Sequence, residues 1–180
     1  MKLLGTFTYL LWLIALVACV AAPTRLNAAE ATREQIQAAY LYHFLQFVDW
    51  PANAPAGSAT YSVCVLGDER LARVLEASVE GKSIAGRPVT AHQLTDVREA
   101  RTCHLLFLTG RRQTVESELK DLKTGPILTA SDVPGLQKDG TVVTFLFNGN
   151  HMQFDINVEN AKRRGISISS RLLQLARRPK

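Results

Sequence analysis

The chain has 180 residues, 21 of them Lys or Arg and 16 Asp or Glu, and its formal net charge at pH 7 is +5. So mild an excess argues against a dedicated nucleic-acid-binding protein, and the length suits one domain with its own core. The charge is uneven, because seven basic and no acidic side chains follow Glu159. We expect this basic end to face an acidic partner, a membrane surface or water.

Residues 1–28 have the features of a secretory signal peptide. Lys2 precedes an apolar run from Leu10 to Ala22, and small residues follow up to Ala28. The run is shorter than the roughly 20 residues of a membrane span, so we expect cleavage and export rather than a lasting anchor. The mature domain would then comprise residues 29–180, with a charge of about +3.

Cys19 offers a second way of processing the leader. The segment Leu16-Val17-Ala18-Cys19 resembles a lipobox, and its use would leave a lipoprotein tethered to a membrane through Cys19. Because the cysteine stands inside a run that stays apolar and small residues follow downstream, ordinary cleavage is favoured.

An amphipathic helix opens the mature chain. Thr32 and Gln35 have the spacing of a capping box, and Trp50-Pro51 is typical of a helix end. Between them, apolar residues from Ile36 to Val48 cover an arc wider than the stripe of about 100° that one sheet face requires. The segment is therefore predicted to be mostly core, and to meet a second apolar surface.

The middle of the chain alternates between strands and helices. The run at 61–66 predicts a buried strand, Asp68 a helix cap, the run at 87–94 an edge strand and the run at 103–108 a second central strand. A helix at 112–122 and a strand at 127–129 follow. This order predicts parallel pairing and a single three-layer α/β domain with a mixed, mainly parallel sheet.

The last third predicts an antiparallel hairpin that closes the sheet. Its strands at 141–147 and 152–157 flank the turn signal Asn148-Gly149. Helices from 158 to 164 and from 170 to about 177 complete the chain. Asp155, on the polar side of the second strand, is expected to pair with a basic side chain such as Arg164 or Arg171 rather than to act as a base.

Export gives the cysteines Cys64 and Cys103 an oxidising environment. A pair of cysteines in such a compartment is usually bridged, and closing this loop would stabilise the fold by about 4 kcal/mol. Two buried free thiols are the alternative.

Motifs of catalysis, cofactors and metals are not visible. Gly81-Lys82-Ser83 lacks the earlier glycine of a phosphate-binding loop, since Glu76 stands there. Cys103 and His104 are strand neighbours that point to opposite faces, and the four histidines lack metal-ligand spacing. The residues alone therefore predict an exported α/β binding or interaction protein that is not an enzyme.

Three stretches resemble the YfiR family of periplasmic proteins. They are Ala38-Ala39-Tyr40-Leu41-Tyr42-His43-Phe44-Leu45-Gln46-Phe47-Val48-Asp49-Trp50-Pro51, the segments Cys64-Val65-Leu66-Gly67-Asp68 and Cys103-His104-Leu105-Leu106-Phe107, and the ending from Phe154-Asp155-Ile156-Asn157 to Leu175-Ala176. The chain departs from the family pattern mildly, with His43 for asparagine, Asp155 for glutamate and Arg171 for lysine. A second cysteine pair of some members is missing.

The resemblance implies a non-enzymatic periplasmic repressor without a cofactor. Such proteins bind the periplasmic part of an inner-membrane diguanylate cyclase, lower cyclic di-GMP and biofilm formation, tend to form homodimers and are antagonised by an outer-membrane sequestering protein. Onto this chain we map partner or dimer contacts at Phe44, Phe47, Trp50, Arg164 and Arg171, because aromatic residues and arginine dominate interface energetics.

Two other functions stay open. A periplasmic small-ligand carrier or sensor would use a cleft at the carboxyl ends of the parallel strands, near Gly67-Asp68 and Gly110. A hydrolase with an unfamiliar site is disfavoured by the missing motifs.

Overall fold

The computed structural model describes residues 31–52, 54, 59–122, 125–149 and 151–177. The predicted signal peptide and the Cys19 motif lie outside these residues. From Ala31 onward the chain forms one compact unit.

Five α-helices and nine strands make up the described part. The helices are α1 (Arg33–Phe44), α2 (Glu69–Val79), α3 (Arg112–Asp121), α4 (Val158–Arg163) and α5 (Ser170–Leu175), with 3₁₀ turns at Leu45–Phe47, Val97–Thr102 and Leu136–Asp139. The strands are β1 (Val48–Asp49), β2 (Tyr61–Leu66), β3 (Ser83–Ile84), β4 (Arg87–Leu94), β5 (Leu105–Leu108), β6 (Leu128–Ser131), β7 (Val143–Asn148), β8 (His151–Ile156) and β9 (Ser167–Ile168).

The main sheet has seven strands in the order β3-β4-β2-β5-β6-β7-β8. The pairs β4/β2, β2/β5, β5/β6 and β6/β7 are parallel, whereas β3/β4 and the hairpin β7/β8 are antiparallel. This topology confirms the predicted mixed, mainly parallel sheet closed by a C-terminal hairpin.

Two hydrophobic clusters lie on opposite faces of the sheet. Val63 and Val65 of β2 join a cluster with α1, α2, α4 and α5, while Cys64 and Leu66 join one with α3 and two of the 3₁₀ turns. Strand side chains alternate between faces, so a continuous apolar run such as β2 serves both clusters. The three predicted layers are therefore present.

The opening helix is shorter than predicted. Its capping box is present, with the Gln35 amide donating to the Thr32 hydroxyl and the Thr32 amide to the Gln35 side chain. However, α1 ends at Phe44, and β1 pairs antiparallel with β9, matching Val48 to Ile168. The helical arc drawn through Val48 was therefore wrong, because pairing with a distant segment overrides the local apolar pattern.

The two edges of the sheet are both partly covered. At one edge, β3 pairs with the first residues of β4, and β2 is the partner of β4 on its other side. The prediction of β4 as an edge strand was therefore wrong for its first two residues, Arg87 and Pro88, because β3 pairs outside them. At the other edge, the amide of Arg177 donates to the carbonyl of Phe154 in β8, so the end of the chain returns along the hairpin.

Candidate functional site

A disulfide bond joins Cys64 in β2 to Cys103, which lies just before the neighbouring strand β5. The Cα atoms are 6.0 Å apart, within the usual range for a bridge, and both residues are buried. The bridge therefore links two adjacent parallel strands on the face covered by α3. The structure thus contains the predicted pairing rather than two free thiols.

Phe44 belongs to the core rather than to a partner surface. It is 1% exposed, and its ring stacks on Phe145 and meets Phe154 edge-on, with centroids 5.7 Å and 5.1 Å apart. A side chain without exposed surface cannot contact a second protein in this conformation, so its placement at an interface was wrong. Phe47 and Trp50 are only partly buried, and their contact with a partner stays a prediction.

Trp50 lies against an unexpected cluster at the amino ends of three parallel strands. Tyr61 opens β2, Arg87 opens β4 and His104 directly precedes β5. The Trp50 ring lies 5.7 Å from Tyr61 and 5.6 Å from His104, and the Arg87 guanidinium lies 4.1 Å from the centre of the Tyr61 ring. Sequence reasoning considered His104 only as a metal ligand and as a neighbour of Cys103, and it missed this cluster.

His104 is fully buried and neutral. Its Nδ1 accepts a hydrogen bond from the Ser62 amide at 3.2 Å, and its Nε2 lies 3.4 Å from Nη2 of Arg87. Burial, followed by the positive charge of Arg87, lowers the pKa of the imidazole to about 4. The histidine is thus uncharged at neutral pH.

Three arginines of the basic closing segment, Arg164, Arg171 and Arg177, have different environments. Arg177 forms two hydrogen bonds with the Asp155 carboxylate, at 2.9 Å and 2.8 Å. Asp155 therefore pairs with a basic side chain, as predicted, but the partner is Arg177 and neither Arg164 nor Arg171. Burial lowers the pKa of Arg164, and its Nη1 has no hydrogen-bond partner within the described structure. Arg171 is exposed on α5.

Leu175 is the most exposed large hydrophobic side chain among the described residues, at 66%. It lies four residues after Arg171 on α5, so the two side chains share one helix face. Sequence reasoning predicted this helix but did not single out Leu175. One face of this short helix therefore exposes a basic and an apolar side chain together.

The carboxyl ends of β2 and β5 pack closely together. The Thr109 carbonyl oxygen contacts the position that a Cβ at Gly67 would occupy, and the Thr109 hydroxyl donates to Asp132 at 2.6 Å. Arg33 lies 3.7 Å from the same carboxylate. These side chains and the Gly67 contact lie at the carboxyl ends of the strands, where a ligand carrier was expected to bind.

Neither metal sites nor membrane spans are found in the described part of the chain. No three His, Cys, Asp or Glu residues there come together in a way that could hold a metal ion. None of its helices is long and apolar enough to cross a bilayer.

The fold and these surfaces define a disulfide-bonded, three-layer α/β protein with an exposed helix face at its C-terminal end. The sequence profile of the YfiR/HmsC-like family matches residues 34–177, and the chain belongs to this family. The family is periplasmic and regulatory rather than catalytic. No curated protein matches the sequence.

Proposed function

We propose that this protein is a periplasmic repressor that binds the periplasmic part of an inner-membrane diguanylate cyclase and so lowers cyclic di-GMP and biofilm formation. The observation that carries the proposal is the family match over residues 34–177. The predicted signal peptide and a disulfide suited to an oxidising compartment agree with it. A homodimer and an outer-membrane sequestering protein are further expected partners.

Repression would follow from differential binding. A repressor can shift the cyclase towards its inactive state only by as much as its affinities for the two states differ. Keeping the cyclase 99% inactive from an even equilibrium requires a roughly hundredfold difference, or about 2.7 kcal/mol. One well-packed contact patch with a few central residues can supply this difference.

We place the contact on the face of α5 formed by Arg171 and Leu175, and extend it to Phe47, whose carbonyl accepts from the amide just before α5. Trp50 and Arg164 stay predicted contacts. Arg171 and Leu175 are both exposed, so replacing them should leave the stability of the free protein within about 0.5 kcal/mol. Loss of binding in these variants could then not be attributed to unfolding.

The test measures intracellular cyclic di-GMP in the host after deletion of the gene and after its restoration. We expect a rise on deletion that an exported copy reverses and a copy without residues 1–28 does not. The variant Arg171→Ala with Leu175→Ala should restore repression poorly, whereas Arg101→Ala, at an exposed arginine on the opposite layer, should restore it fully. No change on deletion, with the protein expressed, would refute the proposal.

A periplasmic small-ligand sensor is the second candidate function. The cluster around Trp50 and His104 favours it, because the buried indole N–H of Trp50 has no acceptor in the described structure and the imidazole faces another donor. A thermal-shift screen distinguishes a ligand-binding protein from one that recognises only other proteins.

A further inference from the structure

The tautomer of His104 is determined by its surroundings. The backbone amide of Ser62 can only donate, so Nδ1 of His104 must accept and carries no proton. A neutral imidazole then has its proton on Nε2. Nε2 faces the guanidinium of Arg87, which is also a donor, so the contact of 3.4 Å between them cannot be a hydrogen bond.

Trp50 adds a second donor without an acceptor. Its indole Nε1 is buried and has no hydrogen-bond partner in the described structure, and an indole nitrogen can only donate. The Trp50 and His104 rings are neighbours at 5.6 Å. Leaving a buried donor unsatisfied costs about 1–3 kcal/mol, so two such donors on neighbouring rings indicate that an acceptor belongs near them.

Arg87 brings a guanidinium group into the cluster. Its guanidinium lies over the Tyr61 ring and donates to the Thr60 carbonyl at 3.4 Å. A positive charge beside two N–H donors favours an acceptor that is itself negative, and a carboxylate or phosphate can accept from several donors together. Trp50, Tyr61 and Arg87 are all partly exposed, so the cluster lies near the protein surface, although the two donor nitrogens themselves are buried.

We propose that Trp50, Arg87 and His104 form a binding site for the oxyanion group of a small molecule, a carboxylate or a phosphate. The group would accept from the indole Nε1–H and the imidazole Nε2–H and lie beside the Arg87 guanidinium. The site lies at the amino ends of β2, β4 and β5, opposite the carboxyl ends at which ligands of open α/β sheets usually bind. It does not rest on the proposed repression of a cyclase.

The test uses the single tryptophan of the mature protein, since Trp12 lies in the predicted signal peptide. Protein exported to the periplasm is labelled with ¹⁵N and titrated with sodium acetate and with inorganic phosphate, against sodium chloride at equal ionic strength. We expect a saturable downfield shift of the indole N–H signal with at least one of the two oxyanions and none with chloride. Acetate and phosphate distinguish a carboxylate from a phosphate ligand.

Two variants and a tautomer measurement complete the test. Arg87→Gln should weaken binding at least tenfold, whereas Arg101→Gln, at an exposed arginine on another element, should not change it. Trp50→Phe keeps an aromatic ring without the donor, and it should lose the thermal stabilisation that the anion gives the wild type. This second readout decides the matter if Arg87→Gln does not fold.

Three results would overturn the proposal. A long-range ¹⁵N spectrum with the His104 proton on Nδ1 would remove its basis. An upfield indole signal that no anion moves would indicate that the N–H points at an aromatic face instead. A response that does not saturate, or that is equal in Arg87→Gln and Arg101→Gln, would leave only non-specific ion effects.

Discussion

Loss of the Cys64–Cys103 bridge should destabilise the protein strongly. The bridge closes a loop with a sequence separation of 39, for which the chain-entropy relation gives about 4 kcal/mol at 25 °C. Since domains are stable by only about 5–15 kcal/mol, the bridge accounts for a quarter or more of the total. At roughly 2–4 °C per kcal/mol for a domain of this size, reduction should lower Tm by about 8–16 °C.

The assay compares urea unfolding of the oxidised protein, the reduced protein and the double variant Cys64→Ala with Cys103→Ala. Reduction frees the loop in the unfolded chain and leaves the buried sulfur atoms in place. The difference between the oxidised and reduced proteins therefore measures the entropy effect of closing the loop. The double variant should lose somewhat more, because it also removes two buried side-chain atoms from the cluster packed on α3. Reductant added to the double variant should have no effect, which controls for changes elsewhere.

The reasoning would be refuted by a reduced protein, with both thiols verified by alkylation, whose unfolding free energy stays within about 1 kcal/mol of the oxidised form. Such a result would mean that the pairing of β2 with β5 persists in the unfolded ensemble, so that the bridge has little freedom left to restrict.

Three further perturbations test single side chains. Folding lowers the pKa of His104 from its ordinary value of 6.5 to about 4, so between these pH values the unfolded chain binds a proton that the folded chain does not. The free energy of unfolding should therefore fall by about 2 kcal/mol from pH 7 to pH 5. The urea midpoint should fall less between these two pH values in His104→Leu than in the wild type. Asn160 is buried and its amide donates to two backbone carbonyls at 2.7 Å and 2.6 Å, so Asn160→Ala should cost about 1–3 kcal/mol in urea unfolding, while exposed Gln174→Ala should cost almost nothing. Gly67 and Gly81 both have positive φ, but a Cβ at Gly67 would meet the Thr109 carbonyl and one at Gly81 would meet nothing within 4 Å. Gly81→Ala should therefore lower the free energy of unfolding by about 1–2 kcal/mol, and Gly67→Ala should lower it clearly more. Equal melting temperatures of the two variants would contradict this explanation.

Features encoded by neighbouring residues could be predicted from the sequence. The nearly continuous apolar run of β2 indicated a strand buried on both faces, and the side chains of Thr32 and Asp68 marked two helix starts through hydrogen bonds to nearby amides. The hairpin signal is equally local, although Asn148 ends the strand β7, paired with His151, instead of lying in the turn. These signals were sufficient for the three layers and for the parallel and antiparallel parts of the sheet.

Features that depend on distant segments were missed. The local apolar pattern predicts that α1 continues to Trp50. Instead, Val48 pairs with Ile168, and no local pattern indicates this pairing. Asp155 binds Arg177 because the chain end returns along β8. The cluster of Trp50, Tyr61, Arg87 and His104 could have been anticipated, because residues at the amino ends of neighbouring parallel strands meet at one end of the sheet. The sequence analysis considered only the carboxyl ends of the strands.

The small sheet formed by β1 and β9 joins segments about 120 residues apart with a two-residue pairing and one further hydrogen bond, from the Ser169 amide to the Phe47 carbonyl. Because only a few hydrogen bonds join these two distant segments, the β1/β9 sheet should open more readily than the seven-stranded sheet. In amide hydrogen exchange, Val48 and Ile168 should therefore lose protection well before the amides of β2 and β5. One strand of this small sheet adjoins Trp50 and the other leads into α5, so its opening should be a local event that leaves the disulfide-bonded centre of the fold intact.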